Sequence, residues 1–301
     1  MAEARGGTRV PQLPNEAGNM AAIADRFRRQ FEIADAAWDA SIELVSSGMG
    51  VGLGKKRSFN LCMSAVTAKQ LRFFCATVRL CKMGLGNEAQ VCHRAMYELF
   101  LQLKALEVSA DRELFARQWL LWCFANMERQ AGLIAKWSPK LGPELADVPE
   151  RIAELKKEVG EEEYKAFVRC GPMRESVADL ATHLDTIVKG GTFRWTYDTY
   201  YPQASGPAHG YDLFDFATLR KEDDGILMVL CPSENHIDAV ISSSVWNLRD
   251  SVVVIDSVWG LNRADIVKRL DELSYALKPS AEDLARFSNK AAGTSGSSSG
   301  S

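Results

Sequence analysis

The stretch Asn87-Glu88-Ala89-Gln90-Val91-Cys92-His93-Arg94-Ala95-Met96-Tyr97-Glu98-Leu99-Phe100-Leu101-Gln102-Leu103-Lys104-Ala105-Leu106-Glu107 decides the fold. Cys92, Ala95, Met96, Leu99, Leu103 and Leu106 recur at three- and four-residue steps, which builds one apolar face of a helix. Asn87 can cap the helix, and Gly84 and Gly86 separate it from the preceding one. Arg94 and Glu98 fall about 120° or more from the centre of that face. Their stripe also carries Val91, Leu101 and Ala105, so a second buried face is expected. Arg before Glu at i,i+4 is the weaker order for an exposed helix pair. A paired, buried role follows, either as a structural ion pair or with Arg94 as an anion clamp and Glu98 as its positioner or a base.

Working outward, helical periodicity predicts helices near 20–47, 58–83, 110–137, 143–158, 160–170, 173–188, 207–219, 234–258 and 262–277. Only Ile226 to Cys231, fenced by Asp224-Gly225 and Pro232, reads as a strand. The expected fold class is all-α, a multi-helix bundle with at most one short β-hairpin or strand near 226–231. One helical domain is expected over 20–279, after a loose segment 1–19. A flexible tail over 280–301 is expected to end in the Gly/Ser run 293–301. In the 58–83 helix, Cys62, Val66, Phe73, Phe74, Val78, Leu80 and Cys81 share one half of the wheel. Lys69, Arg72, Arg79 and Lys82 share the other, either as a solvated face or as a track for a phosphate backbone.

With 47% apolar residues in 301, the chain can bury a real core, and a net charge of −3 makes it no overall trap for nucleic acid or acidic membranes. No uncharged apolar run reaches the roughly 18 residues of a membrane span. Seven cysteines, an odd number with no C-x-x-C pair, predict reduced thiols and a cytoplasmic, soluble protein. No metal-ligand spacing occurs; His183 and His236 lack a second ligand at a suitable interval, and neither metal nor cofactor is expected. The glycine-rich run from Gly48 to Lys56 lacks the phosphate-loop spacing and reads as a linker between helices.

A second polar cluster runs from Tyr197 to Gly210 through Tyr200, Tyr201, Ser205, Pro207 and His209. Ser205-Gly206-Pro207 predicts a helix start, with His209 in the first turn, where the helix dipole disfavours imidazolium. A neutral histidine beside a small anion pocket suits proton transfer on a phosphodiester; the alternative is a capped helix whose histidine hydrogen-bonds a tyrosine. The rings of Tyr97, Tyr197 and Tyr201 are candidate substrate-binding residues, although such aromatics also serve as core.

The run Asn87-Glu88-Ala89, Arg94-x-x-Tyr97-Glu98-Leu99, the Trp119 and Trp122 helix, and Tyr197…Tyr201-x-x-x-Ser205-x-x-x-His209-Gly210 resembles a bacterial family, domain of unknown function family 5677, over roughly residues 25–260. The resemblance implies an all-helical fold and suggests a distant likeness to HEPN-type proteins of toxin–antitoxin and abortive-infection systems, commonly metal-independent ribonucleases with an Arg-x(4–6)-His motif. Here no arginine stands four to six residues before His209, and Arg94 would supply the cation from another helix. Two functions are carried forward. One is an RNA phosphodiesterase with Arg94, Glu98, Ser205 and His209 as catalytic residues. The other is a non-catalytic helical module that binds a small ligand or partner protein, or pairs with a second copy.

Overall fold

The computed structural model describes residues 16–48, 57–137, 176–199, 201, 219–222, 225–228 and 233–278, with scattered residues between 150 and 165. Helix α1 (Glu16–Arg26) runs into α2 (Arg28–Gly48) across Phe27, whose N–H bonds the Ile23 carbonyl at 3.0 Å while its own carbonyl accepts from Phe31 at 3.0 Å. Then come α3 (Arg57–Lys82), α4 (Gly86–Val108), α5 (Arg112–Trp137) and α6 (Val177–Ile187). Residues 193–199 are helical as well. Strands β1 (Leu219–Glu222) and β2 (Gly225–Met228) form an antiparallel hairpin, and α7 (Ile237–Trp259) and α8 (Ala264–Ala276) follow.

The described residues are all-α apart from that hairpin, as the helical periodicity predicts. The differences are local. Helix begins at Glu16 rather than residue 20, and the expected first helix is two. The 193–199 helix falls in an aromatic passage where periodicity alone gave no helix. The strand expected near 226 pairs with a partner the sequence did not announce. The helix expected over 207–219 lies outside the described residues except Leu219, which opens β1. The expected loose segment 1–19 is described only from Glu16, which is helical, and the expected tail 280–301 is outside the described residues.

Helices α4 and α7 lie side by side and parallel. Gly86 meets Asn235 and Ile237 at one end, His93 bonds the Ser243 backbone in the middle, and Lys104 acts on Asp250 toward the other end. Helix α3 packs against both and buries Phe74, Val78 and Cys81, while Lys69, Arg72 and Arg79 stay exposed. The solvated-face reading of that basic stripe suffices. Met96, Leu103 and Leu106 of α4 are fully buried, as are Ile241, Val245 and Leu248 of α7, and the two helices pack together. A polar layer crosses this interior. Gln70 Nε2 donates to Asn247 Oδ1 at 3.1 Å and to Ser251 Oγ at 2.7 Å. Burial pushes the Cys62 and Cys81 thiols up to about 12, which leaves both protonated and unreactive. Among the described residues no helix is long and apolar enough to cross a membrane.

Candidate ligand-binding site

A cavity of about 770 Å³ opens along the seam between α4 and α7. One wall is the α4 stripe His93, Arg94, Tyr97, Phe100 and Lys104; the facing wall runs from Asp238 to Val254 on α7. The roof is the segment 188–196 with Tyr201, and the end of α8 contributes Leu277 and Lys278.

Local rules explain how the roof is held. Ser176 caps α6, its hydroxyl accepting the Asp179 N–H at 3.2 Å. Gly190, at φ +76°, turns the chain back after α6 in a conformation that other residues rarely adopt. Asp185 then holds the start of the 193–199 helix: its Oδ1 accepts the Phe193 N–H at 2.8 Å, its Oδ2 the Arg194 N–H at 2.9 Å. That carboxylate occupies the two amides at this helix start. The Tyr97 hydroxyl donates to the Phe193 carbonyl at 2.6 Å, and the Phe193 and Phe100 rings meet at 5.9 Å. The roof is therefore pinned to α4 by the same face that lines the cavity.

At one end of the cavity, Arg94 and Glu98 pair as the sequence predicts, Nε to Oε1 at 3.1 Å, and both are half-buried. Leu101 and Ala105 on their stripe are buried, which supports a second face; Val91 corrects it, being exposed because the stripe leaves the interior there. The Tyr201 hydroxyl closes the pair into a triangle: it donates to Glu98 Oε1 at 2.9 Å and accepts from Arg94 Nη2. The guanidinium also stands 4.2 Å from the Tyr201 ring centre, and that ring stacks on Tyr197 with centres 4.4 Å apart. Burial and the Glu98 carboxylate push the Tyr201 phenol up to about 12, so it stays protonated and remains a donor. Arg94, Tyr97 and Tyr201 line the cavity, whereas Glu98 and Tyr197 support them from outside its wall. Ser205 and His209 lie outside the described residues.

The structure adds residues that the sequence reading did not select. His93, almost fully buried in the cavity wall, is lowered by burial to about 4 and stands neutral, with the Ser243 carbonyl as a backbone partner. Asp250 is raised by burial, with the Arg249 guanidinium at 2.5 Å pulling the other way. Arg249 bonds Asp271 as well, also at 2.5 Å. Adjacent charges in the otherwise uncharged stretch Val245 to Ile255 were the signal that could have found this pair. Among the described residues Arg94, Lys104, Lys189, Arg249, Lys278, Asp238 and Asp250 line the cavity; Arg94 is paired with Glu98, Lys104 with Glu107, and Arg249 with Asp250 and Asp271. No group of three or more potential metal ligands occurs among the described residues.

A family model described as a family of unknown function (DUF5677) matches residues 61–226. No curated protein and no solved structure matches the chain.

Proposed function

We infer, from the premise that the chain belongs to the DUF5677 family of unknown function, that its α4–α7 cavity binds a small anionic ligand with an aromatic body. The carrying observation is the lining of a cavity of about 770 Å³: Lys189 and Lys278 join the ion-paired Arg94, Lys104 and Arg249 around walls that include Tyr97, Phe100, Phe193 and Trp246. A volume of that order holds a drug-sized molecule, and apolar walls with a few convergent polar groups are the usual build of such sites. Neutral His93 offers a hydrogen bond without adding a buried charge. Nucleoside monophosphates combine the required anion and ring. Titration calorimetry with nucleoside monophosphates, nucleosides and inorganic phosphate tests the reading. Monophosphates should bind and raise the melting temperature, with nucleosides weaker. The exposed Lys189 gives a mutational arm: Lys189→Glu should weaken monophosphate binding about tenfold or more with stability unchanged, because it replaces an attraction with a repulsion in a part-screened site. If no member of the panel shifts the melting temperature, the reading fails.

One observation favours a second reading, an RNA phosphodiesterase. Tyr201 sits on Arg94 in the cavity wall, so the segment carrying Ser205 and His209 starts within four residues of that wall. In this reading Arg94 holds the phosphate, Glu98 positions it, His209 moves the proton and Ser205 orients the anion. Tyr97, Tyr197 and Tyr201 receive a base. Purified protein should then cleave RNA and His209→Ala should not; intact RNA with both proteins sinks it.

A further inference from the structure

We propose, resting on the anionic-ligand reading above, that the ligand's anion is a phosphomonoester docked on Lys278, whose ammonium Trp246 and Tyr275 hold in place at the α8 end of the cavity. Three of the cations that line the cavity are engaged by the protein itself: Arg94 by Glu98, Lys104 by Glu107, and Arg249 by Asp250 and Asp271. Lys278 is different. The acidic positions nearest to it on α8 face other cations, Asp271 facing Arg249 and Glu272 facing Lys268, and among the described residues no carboxylate pairs with it. Two rings hold it instead. Its Nζ stands 4.2 Å from the Tyr275 ring centre and 5.3 Å from that of Trp246, and the rings meet edge to face, 5.2 Å apart at 79°. The turn that closes α8 sets this up: the Lys278 N–H donates to the Tyr275 carbonyl at 3.1 Å, which brings the lysine back over the tyrosine.

A ring attracts an ammonium through its quadrupole and carries no net charge, so it positions the cation without neutralising it. Lys278 keeps its full charge and its hydrogen-bond donors. Held by two rings, it also loses less freedom on meeting an anion than an untethered surface lysine does. Trp246 joins this device to the cavity, being both a support of the ammonium and part of the wall, as are Leu277 and Lys278 themselves. Tyr275 is exposed and outside the lining, so its part is to position Lys278. An anion oxygen bonded to Nζ at about 2.8 Å stands within about 8 Å of the Trp246 ring centre. A phosphate there leaves the ring of a nucleoside, one sugar away, within reach of that apolar wall. A phosphomonoester gains most from this cation, since near pH 7 it brings close to two negative charges and three acceptor oxygens.

The test is calorimetric titration of the full chain with AMP, GMP, CMP and UMP and the matching nucleosides. The tightest monophosphate and its nucleoside are then titrated into Lys278→Met, Lys278→Arg and Tyr275→Leu. Methionine keeps an apolar stem over the rings and removes the charge. Lys278→Met should weaken the monophosphate about tenfold, the scale of one charged hydrogen bond, and flatten the salt dependence of its binding while the nucleoside binds as before. Lys278→Arg, which keeps the charge, should restore most of that binding. Tyr275→Leu should weaken the monophosphate about threefold alone and have no further effect on top of Lys278→Met, which a general loss of packing would not reproduce. Wild-type affinity for the monophosphate in Lys278→Met overturns this inference and leaves the anionic-ligand reading standing. An equal loss for monophosphate and nucleoside overturns it as well, because Lys278 would then only pack. Additive losses from Tyr275→Leu and Lys278→Met overturn the positioning role of Tyr275. Absence of monophosphate binding by the wild type overturns both this inference and the reading it rests on.

Discussion

At His93 the chain places an imidazole where water does not reach, and the cost appears as a pH dependence. Burial lowers the group from its ordinary 6.5 to about 4. Between those values the unfolded chain binds a proton that the folded chain refuses. Stability is therefore complete above pH 6.5 and falls as the pH drops toward 4, by up to about 3 kcal/mol for this one group. Urea unfolding at pH 7 and pH 4.5 measures the slope, and His93→Gln should remove that share of it; an unchanged slope would contradict the assignment. The Arg94–Glu98–Tyr201 triangle gives a second residue-scale outcome. Tyr201→Phe deletes the hydroxyl that bonds both partners, at a cost of about 1 kcal/mol, equivalent to about 2–4 °C in melting temperature. A double-mutant cycle with Glu98→Gln should show coupling, and additive losses would mean that the three side chains do not act together.

At the scale of elements, two joints fix the cavity. The first is the start of α4 against the turn before α7. A Cβ at Gly86 would stand 2.2 Å from the Asn235 carbonyl oxygen and 3.0 Å from the Ile237 nitrogen, both backbone atoms that cannot swing aside. Gly86→Ala should therefore cost about 1–3 kcal/mol despite adding a better helix former. Hydrogen exchange should speed up first around 233–237, and unaltered protection there would refute the joint. The second is Asp185, which anchors the 193–199 helix over the cavity. Asp185→Ala removes both acceptors and should cost about 1 kcal/mol. Its diagnostic effect is weaker monophosphate binding at constant global fold, read by calorimetry beside circular dichroism.

Across the whole molecule, a polar layer runs through the place where α3 meets α7. Gln70, Asn247 and Ser251 satisfy one another only in part, since Gln70 Oε1 and Asn247 Nδ2 have no partner among the described residues. Asn247→Leu alone should cost about 1–3 kcal/mol, because it removes one of the two acceptors of the buried Gln70 amide and leaves only Ser251. Gln70→Leu, Asn247→Leu and Ser251→Ala together should recover most of that loss, as replacement of all partners by apolar groups does. Chemical denaturation of the single and triple variants decides it; a triple variant worse than the single would mean that the layer contributes net stability.

The sequence by itself determined most of the described helices, the 193–199 helix excepted, because each is closed by hydrogen bonds within a few residues and its buried face repeats with the helical period. Met96, Leu103 and Leu106, and the Arg94–Glu98 pair, were readable for that reason. The hairpin was half legible: Gly225 marked a strand start, whereas its pairing with Leu219–Glu222 is a contact between segments that no local period announces. The cavity was decided only by tertiary structure. It exists because α4 and α7, some 150 residues apart in the chain, pack in a register that faces Gly86 with the turn before α7 and His93 with Ser243. A register between distant helices is set by the summed packing of many side chains and by close approaches such as Gly86 on Asn235. Neither periodicity nor spacing along one strand of sequence carries that information.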